Sequence, residues 1–315
     1  MICIQLKNTD PFFCLAAEEY LLKNFSDDIF MLWQSENTVV VGKHQNALGE
    51  VNYPFVREQN ITVARRISGG GTVFHDAGNV NFSFIKNVSS PAEISFKMFT
   101  RPVVEALAQL GLKAITSGRN DLLIDGLKIS GNAEHVYKNR VLHHGTLLFD
   151  SDLYNLGKAI KVVPGKYESK AVQSNRSKVA NISSFLNNEM QIDAFSKFLI
   201  DVQLQKPGNT LYELSDADTQ TISELAKEKF ITWDWRYGYS PKYTFSNTVK
   251  IDGRTLKIFL EVKKGRIENA NLEGNYFNEP LTTELSALLV GKRHFYEDIQ
   301  AVLKTRDEEL IYAFF

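Results

Sequence analysis

The sequence predicts an α/β protein, α+β-like in arrangement, with a mixed or antiparallel sheet flanked by helices. Short β-rich runs alternate with stretches of helical spacing, without a regular βαβ repeat. From residue 246 onward, the chain reads as three strands followed by two helices, enough for a small α+β module. We therefore predict a large domain over 1–245 and a small C-terminal domain over 246–315.

The first half of the large domain opens with a strand and then a helix. Asp10 suits the cap of that helix and Pro11 its first turn. Further strands are expected at 38–41, 62–66 and 80–85. The third of these alternates apolar and polar residues, as a half-buried strand does. Helical spacing over 91–110 ends at Gly111.

The second half predicts strand-like runs over 121–149, with turns at Asp125-Gly126 and near Lys138-Asn139. Helices are expected around 152–161, 192–204 and 217–229. In the small domain, Asp252-Gly253 predicts a hairpin, because Asp-Gly favours a two-residue turn. After that hairpin we expect a turn at 263–265, a third strand, and helices at 280–291 and 294–304.

Composition excludes several classes of protein. The chain has 315 residues, 43% of them apolar, and a net charge of −1, so neither a nucleic-acid nor a membrane partner is expected. Its cysteines, Cys3 and Cys14, are too few for a disulfide framework or a structural zinc site and fit a reducing compartment. We see no signal peptide and expect a cytoplasmic protein.

The most informative motif is the run from Arg65 to Asp76, which contains three consecutive glycines. Glycines permit positive φ and close approach of a ligand to the backbone, and successive N–H groups can bind an anion. Arg65 and Arg66 supply donors for phosphate or carboxylate. The motif thus favours a site for a negatively charged small molecule; the alternative is a flexible surface turn.

Other polar segments point to the same chemistry. Lys128, in a strand-like run near a glycine, would bridge a carboxylate and an α-phosphate; the alternative is a solvated lysine. Asn120 and Asp121 suit a nucleotide or Mg²⁺, or an ordinary turn. His143 and His144 are adjacent on a strand and point to opposite faces, so one shared zinc ion is not expected.

A basic loop completes the set of polar segments. Residues 170–181 carry Lys170, Arg176 and Lys178 with few large apolar anchors. The loop is interpreted either as a solvated surface loop or as a flap that orders over bound phosphates.

These segments resemble the lipoate–protein ligase A family. The resemblance rests on R-R-x-S-G-G-G-x-V-F-H-D followed by Gly78-Asn79, and on K-I-S-G with H-H-G-T-L-L, and it extends over nearly the whole chain. It implies that ATP and lipoate react to give lipoyl-adenylate and pyrophosphate, and that Mg²⁺ shields the charge of the triphosphate. The lipoyl group then passes to a lysine of an acceptor domain, in 2-oxoacid dehydrogenase E2 subunits or glycine cleavage H protein.

The resemblance also implies roles for individual residues. Lys128 is the implied catalytic residue, and Asp121 the implied Mg²⁺ ligand. The implied ATP or adenylate contacts are Arg66, Gly71, Thr72, Val73, Phe74, Asn120, Asp121, Lys128, Thr146 and Arg176. The implied lipoate contacts are Arg66, Ser68, Gly70, Gly71, His75, Lys128 and His144.

Other functions stay open at this stage. An octanoyl transferase of the cysteine type needs an activated thiol in the pocket, but residues 15–315 contain no cysteine. A transferase that uses preformed lipoyl-adenylate shares the pocket residues, although the C-terminal module favours the full ligase. A catalytically silent lipoate-binding protein is disfavoured by the retention of Arg66 and Lys128. A biotin ligase is disfavoured because its G-R-G-R loop is absent.

Overall fold

The computed structural model describes residues 1–90, 94–118, 120–160, 162–174 and 177–315. The strands are β1 (Ile2–Gln5), β2 (Ile29–Trp33), β3 (Thr38–Val41), β4 (Thr62–Arg65), β5 (Val73–His75), β6 (Asn79–Asn87), β7 (Ile115–Ser117), β8 (Asp121–Ile124), β9 (Leu127–Tyr137), β10 (Arg140–Leu148), β11 (Tyr167–Ser169), β12 (Thr210–Leu211), β13 (Tyr243–Ile251), β14 (Arg254–Lys263) and β15 (Arg266–Gly274). The helices are α1 (Pro11–Asn24), α2 (Ala47–Glu50), α3 (Tyr53–Glu58), α4 (Phe96–Gln109), α5 (Leu153–Ala159), α6 (Ile192–Leu204), α7 (Asp216–Leu225), α8 (Glu279–Leu289), α9 (Tyr296–Leu303) and α10 (Glu308–Tyr312). In the described part of the chain, no helix combines the length and apolarity that a membrane crossing requires.

The main sheet is mixed, as the sequence predicts. Its strand order is β12-β1-β2-β6-β10-β9-β8-β7, in which β12, β1 and β2 pair in parallel and the later neighbours pair antiparallel. A small sheet, β4-β3-β5, carries the glycine motif in the connection between β4 and β5. The strands β11, β13, β14 and β15 form a third sheet.

The chain divides into two compact units. The first contains 1–43, 62–157 and 174–231, and the second contains 44–61, 158–173 and 232–315. These units are defined by contacts and do not test whether the chain folds as two independent domains. The domain boundary near residue 245 therefore stays a prediction. Limited proteolysis tests it, with cleavage expected between 230 and 250.

Local chemistry explains where several elements begin and turn. The Asp10 side chain accepts a hydrogen bond from the N–H of Phe13 (2.7 Å), so the predicted cap of α1 is confirmed. The turn between β13 and β14 places both Asp252 (φ 50°) and Gly253 (φ 75°) in the left-handed region, as the predicted Asp-Gly turn requires.

Two predictions about the first unit need correction. The strand predicted at 80–85 is β6, and it is buried on both faces rather than one, because helices cover both. One face, with Phe82 and Phe84, joins the apolar core with α4 and α6. The helix predicted over 91–110 begins at Phe96, while 91–93 lie outside the described residues.

The helix predicted at 217–229 starts one residue earlier, at a capping box. The Ser215 side chain accepts from the N–H of Asp218, whose carboxylate accepts in return from the N–H of Ser215 (2.9 Å). That carboxylate also accepts from Tyr20 (2.6 Å) and Tyr212 (3.0 Å), which join α7 to the elements around it. The helix continues past Leu225 as a wider π turn over Ala226–Phe230.

This capping cluster makes a testable contribution to stability. Burial raises the pKa of Asp218, but its hydrogen bonds outweigh that effect and lower the pKa to about 2. The ionised form therefore stabilises the fold above the carboxyl's ordinary pKa, and the gain is lost as the pH falls towards 2. We expect Asp218→Ala to lower the free energy of unfolding at pH 7 by about 2 kcal/mol. Urea titrations at pH 7 and pH 3 should show a smaller difference between wild type and variant at pH 3; an equal difference contradicts this account.

Candidate functional site

The glycine loop is held from inside by an arginine. The Arg66 guanidinium is buried and donates to Ser68 Oγ (2.9 Å) and to the carbonyl oxygens of Gly69 and Gly71 (both 2.6 Å). Gly70 lies between them with φ +86°, a conformation that favours glycine. Burial lowers the pKa of Arg66 to about 10, which leaves the side chain charged at neutral pH.

Arg65 has a different role from the one that the sequence suggests. It is fully buried, and its Nη1 donates to the carbonyl oxygens of Gly42 (2.9 Å) and Lys43 (3.0 Å). Arg65 thus fastens the chain just after β3. The expectation that both arginines bind an anion is wrong for Arg65, because these contacts commit its side chain to the backbone.

Behind the loop, buried hydrogen bonds converge on Glu18 of α1. Both carboxylate oxygens lie near His144 Nδ1 (2.8 and 2.9 Å), and Ser83 donates to the same group (2.6 Å). Since a carboxylate only accepts, Nδ1 carries a hydrogen and donates it to Glu18, while Nε2 lies within hydrogen-bond distance of Ser68 Oγ (2.6 Å). Ser68 in turn accepts from Arg66, so a continuous chain of hydrogen bonds links the glycine loop to Glu18.

This Ser68–His144–Glu18 arrangement has the connectivity of a hydrolytic triad. Ser68, however, is fully buried and already accepts a hydrogen bond from Arg66. We therefore interpret the chain as a support that fixes Arg66 and the glycine loop. No role is predicted for Glu18 from the sequence. The available signal was an acidic residue in the middle of an apolar helix.

Lys128 lies at the end of β9 beside Asp121. Its Nζ is 2.8 Å from Asp121 Oδ1, and the two side chains are 21% and 24% exposed, so both reach the surface of the site. The pairing of β8 with β9 shifts register beside Lys128, which marks a β-bulge. A bulge changes the direction in which nearby side chains point. A Cβ at Gly131 would lie 3.1 Å from Nζ, so glycine at this position leaves room for the lysine.

Residues 178–180 contact Lys128, and Ser174 contacts the glycine loop. The N–H of Lys128 donates to the Lys178 carbonyl (2.9 Å), and the N–H of Ala180 donates to the Lys128 carbonyl (3.0 Å). At the other end, the N–H of Thr72 donates to Ser174 Oγ (2.8 Å). Arg176, which the resemblance places near the adenylate, lies outside the described residues.

The remaining predicted residues occupy the same region. Thr146 Oγ1 accepts from the N–H of Gly131 (3.1 Å), and Asn120 is bonded to the backbone of β9. His75 is buried with its ring against Trp33 (5.4 Å between centroids); burial, with the charges of Arg66 and His144, lowers its pKa to about 3. Both Val73 and Phe74 lie on β5, where Val73 is half-buried and Phe74 is fully buried.

One face of β6 carries amides with unsatisfied atoms. Asn81 lies opposite Thr146 on one side and Trp33 on the other. Its Nδ2, like Asn79 Oδ1, is buried without a hydrogen-bond partner within the described part of the chain. Leaving such a group unpaired costs about 1–3 kcal/mol, so these amide atoms are candidates for a hydrogen bond with a polar ligand or with water.

The paired histidines do not form a metal centre. His144 faces Glu18, whereas His143 bonds Glu134 (2.9 Å) and stacks on Phe99 (4.8 Å) on the opposite face of the sheet. Over the described ranges, no group of three or more His, Cys, Asp or Glu side chains is placed to hold a metal ion.

Comparison with known proteins identifies the family. The sequence model of the lipoyl protein ligase A/B catalytic domain matches residues 10–203, and that of the bacterial lipoate protein ligase C-terminus matches 240–312. Lipoate–protein ligase 1 of Staphylococcus aureus is 42% identical over 95% of this chain and 92% of its own length. The Bacillus subtilis lipoate-protein ligase LplJ is 41% identical over 96% of this chain and 94% of its own.

Solved structures agree with this assignment. Plasmodium falciparum LipL1 in complex with lipoate superposes with a TM-score of 0.65 at 25% identity, covering 98% of this chain and 96% of that one. Lipoate-protein ligase A bound with ATP gives 0.64 at 25% identity, covering 75% and 98%. A bipartite ligase of Thermoplasma acidophilum, described together with its E2 lipoyl domain, gives 0.65 at 26% identity, covering 75% and 96%. The chain therefore belongs to the lipoate–protein ligase family and is a ligase.

Proposed function

We propose that this ligase activates lipoate with ATP and transfers the lipoyl group to a lysine of an acceptor domain, without a partner enzyme. The observation that carries the proposal is the Lys128–Asp121 pair, in which Nζ lies 2.8 Å from the carboxylate. The backbone of Lys128 is bonded to residues 178 and 180, and Ser174 is bonded to the glycine loop. A cation and a loop of backbone N–H groups suit the carboxylate and α-phosphate of the two substrates.

In the first step, a carboxylate oxygen of lipoate attacks the α-phosphorus of ATP. A new O–P bond forms, the bond to the β-phosphate oxygen breaks, and pyrophosphate leaves. Negative charge grows on the α-phosphate oxygens, and Lys128 Nζ is the group that we assign to stabilise it. Arg66 and its hydrogen bonds keep the glycine loop in one geometry, so that little reorganisation is needed when the substrates meet.

In the second step, the acceptor lysine amine attacks the carbonyl carbon of lipoyl-adenylate. The C–N bond forms, the C–O bond to AMP breaks with its electron pair leaving on the AMP phosphate oxygen, and the amine's proton passes to water. We propose that residues 170–181 cover the adenylate between the two steps and keep water from the reactive anhydride. We also propose the site assignments made above from the resemblance, with Lys128 as the catalytic residue.

We propose that the reaction uses Mg²⁺, because the site offers the kind of oxygen donor that this ion prefers. Magnesium is commonly held by one or two carboxylates together with substrate phosphates and water. Asp121 offers one carboxylate at the surface of the site, and the triphosphate would supply the other oxygens. When bound, the ion would neutralise charge on the leaving pyrophosphate.

The acceptors that we propose are lipoyl domains of 2-oxoacid dehydrogenase E2 subunits and the glycine cleavage H protein. The first is supported by the Thermoplasma ligase, described with its E2 lipoyl domain, and the second by family analogy alone. We propose a cytoplasmic location, which is supported by the two free cysteines, Cys3 and Cys14.

The activation step is tested by ATP–pyrophosphate exchange. Purified protein should exchange labelled pyrophosphate into ATP only when lipoate and Mg²⁺ are present. Exchange that is absent, while synthetic lipoyl-adenylate still lipoylates an acceptor, would instead establish the transferase alternative.

A thiol mechanism is disfavoured by the environment of the cysteines. Burial raises the pKa of Cys14 well above its ordinary value, and the charges of Asp10 and Glu18 act in the same direction. Its Sγ donates to the Asn8 carbonyl (3.2 Å), so the thiol is held protonated. Burial also raises the pKa of Cys3.

We expect the double variant Cys3→Ser, Cys14→Ser to keep its lipoylation rate within about threefold of wild type, since a thiol enters neither step. The matched double alanine variant controls for the polarity of serine in a buried position. A folded double variant with no activity, in both versions, would revive the thiol mechanism.

A further inference from the structure

We propose that Asn132 is a positioning residue that holds the Asn120–Asp121 segment in register with Lys128. It lies on the face of the main sheet that faces away from the site, and it has no assigned role. The inference rests on the proposed function, because it concerns the geometry of the activation step. What it adds is a residue that controls this step without touching the substrates.

Asn132 clamps Asn120 through both backbone and side chain. The N–H of Asn132 and its Nδ2 both donate to the Asn120 carbonyl oxygen (2.9 Å each). In the opposite direction, Asn120 Nδ2 donates to the Asn132 carbonyl (3.3 Å). Asn120 is exposed, so these bonds are its anchor to the sheet. The next residue, Asp121, carries the carboxylate that pairs with Lys128.

The side-chain amide of Asn132 can take only one orientation here. The Asn120 carbonyl only accepts, so Nδ2 must face it, and Oδ1 then faces His143 Nε2 (3.2 Å). His143 is itself held by Glu134 (2.9 Å) and by stacking on Phe99, so the amide rests on a rigid, buried support.

The neighbouring strand β10 has a glycine where the Asn132 side chain packs against it. A Cβ on Gly145 of β10 would lie 2.2 Å from Asn132 Oδ1, so any other residue at 145 would push the amide away. Asn132 also adjoins Gly131, over which the Lys128 ammonium group lies. The support thus connects His143, Asn132 and Asn120 to the Lys128–Asp121 pair, all on the first compact unit.

The test uses Asn132→Asp, which keeps the shape but places an oxygen against the Asn120 carbonyl, together with Asn132→Ala. In ATP–pyrophosphate exchange, we expect kcat to fall by about tenfold or more in both variants. The KM for lipoate should stay within about twofold, because Arg66, Ser68 and His144 are untouched. The control is Asn87→Ala, whose side chain also donates to a backbone carbonyl, that of Ser26 (2.7 Å), and which should lower Tm but not kcat.

A double-mutant cycle separates positioning from general stability. If Asn132 acts through Asp121, then Asp121→Ala combined with Asn132→Asp should be no slower than Asp121→Ala alone. Losses that multiply would overturn the proposal, as would wild-type kcat in Asn132→Asp. A wild type that shows no exchange would instead defeat the proposed function. Should Asn132→Ala fail to fold, the isosteric Asn132→Asp variant decides the question by itself.

Discussion

Replacing Lys128 with alanine is expected to slow formation of lipoyl-adenylate by about a hundredfold to a thousandfold. The reason is that Nζ is the positive charge we assign to the α-phosphate, and one such group is worth about 3–4 kcal/mol in the transition state. The fold should persist, because the lysine side chain is only partly buried and its backbone bonds do not depend on it. Lipoate-dependent ATP–pyrophosphate exchange measures the loss.

The control for this experiment is Lys197→Ala. Lys197 is an exposed lysine on α6 that pairs with Asp201, and its removal should leave the exchange rate unchanged. If Lys128→Ala exchanges pyrophosphate at a rate close to that of wild type, Lys128 is not the residue that stabilises the transition state.

Replacing Arg66 with alanine should reduce the rate of adenylate formation about as much as Lys128→Ala does. It should also lower the stability of the fold, which Lys128→Ala should not. The substitution leaves the carbonyls of Gly69 and Gly71, and Ser68 Oγ, without their donor. We expect the free energy of unfolding to fall by about 3–5 kcal/mol and lipoate-dependent exchange to fall by about a hundredfold or more. Urea denaturation and the exchange assay measure the two effects separately.

Arg66→Lys is the informative companion, because it keeps the charge but not the fork of N–H donors. One ammonium group cannot bond Ser68 Oγ and the carbonyls of Gly69 and Gly71 in the geometry of a guanidinium. We therefore expect the Arg66→Lys variant to lose most of its activity as well. Near-normal exchange in Arg66→Lys would show that charge alone matters and that the bonds within the loop do not.

Local signals in the sequence were enough to predict the parts of the fold that depend on nearby residues. The Asp10 cap and the Asp252-Gly253 turn each follow from one short motif whose geometry involves only its neighbours. The burial of both faces of β6 could not be predicted this way. It depends on helices far along the chain, and the polar residues on one face suggested solvent instead of a site.

The same distinction applies to the site. The glycine loop and Lys128 carry recognisable motifs, but the support behind them joins residues that are distant in sequence. Glu18 and His144 are separated by 126 positions, and only the fold brings them together. For Arg66, the motif predicts a ligand-binding arginine, and the structure adds a role that the motif does not indicate, because the guanidinium also bonds the loop itself.

The central claim is that this chain performs both activation and transfer. The most direct measurement is intact mass spectrometry of a lipoyl acceptor domain after incubation with the purified protein, ATP, Mg²⁺ and lipoate. We predict that the acceptor gains the mass of one lipoyl group, that omitting ATP prevents the gain, and that replacing its target lysine abolishes it. An acceptor that is modified only when synthetic lipoyl-adenylate is supplied would contradict the account.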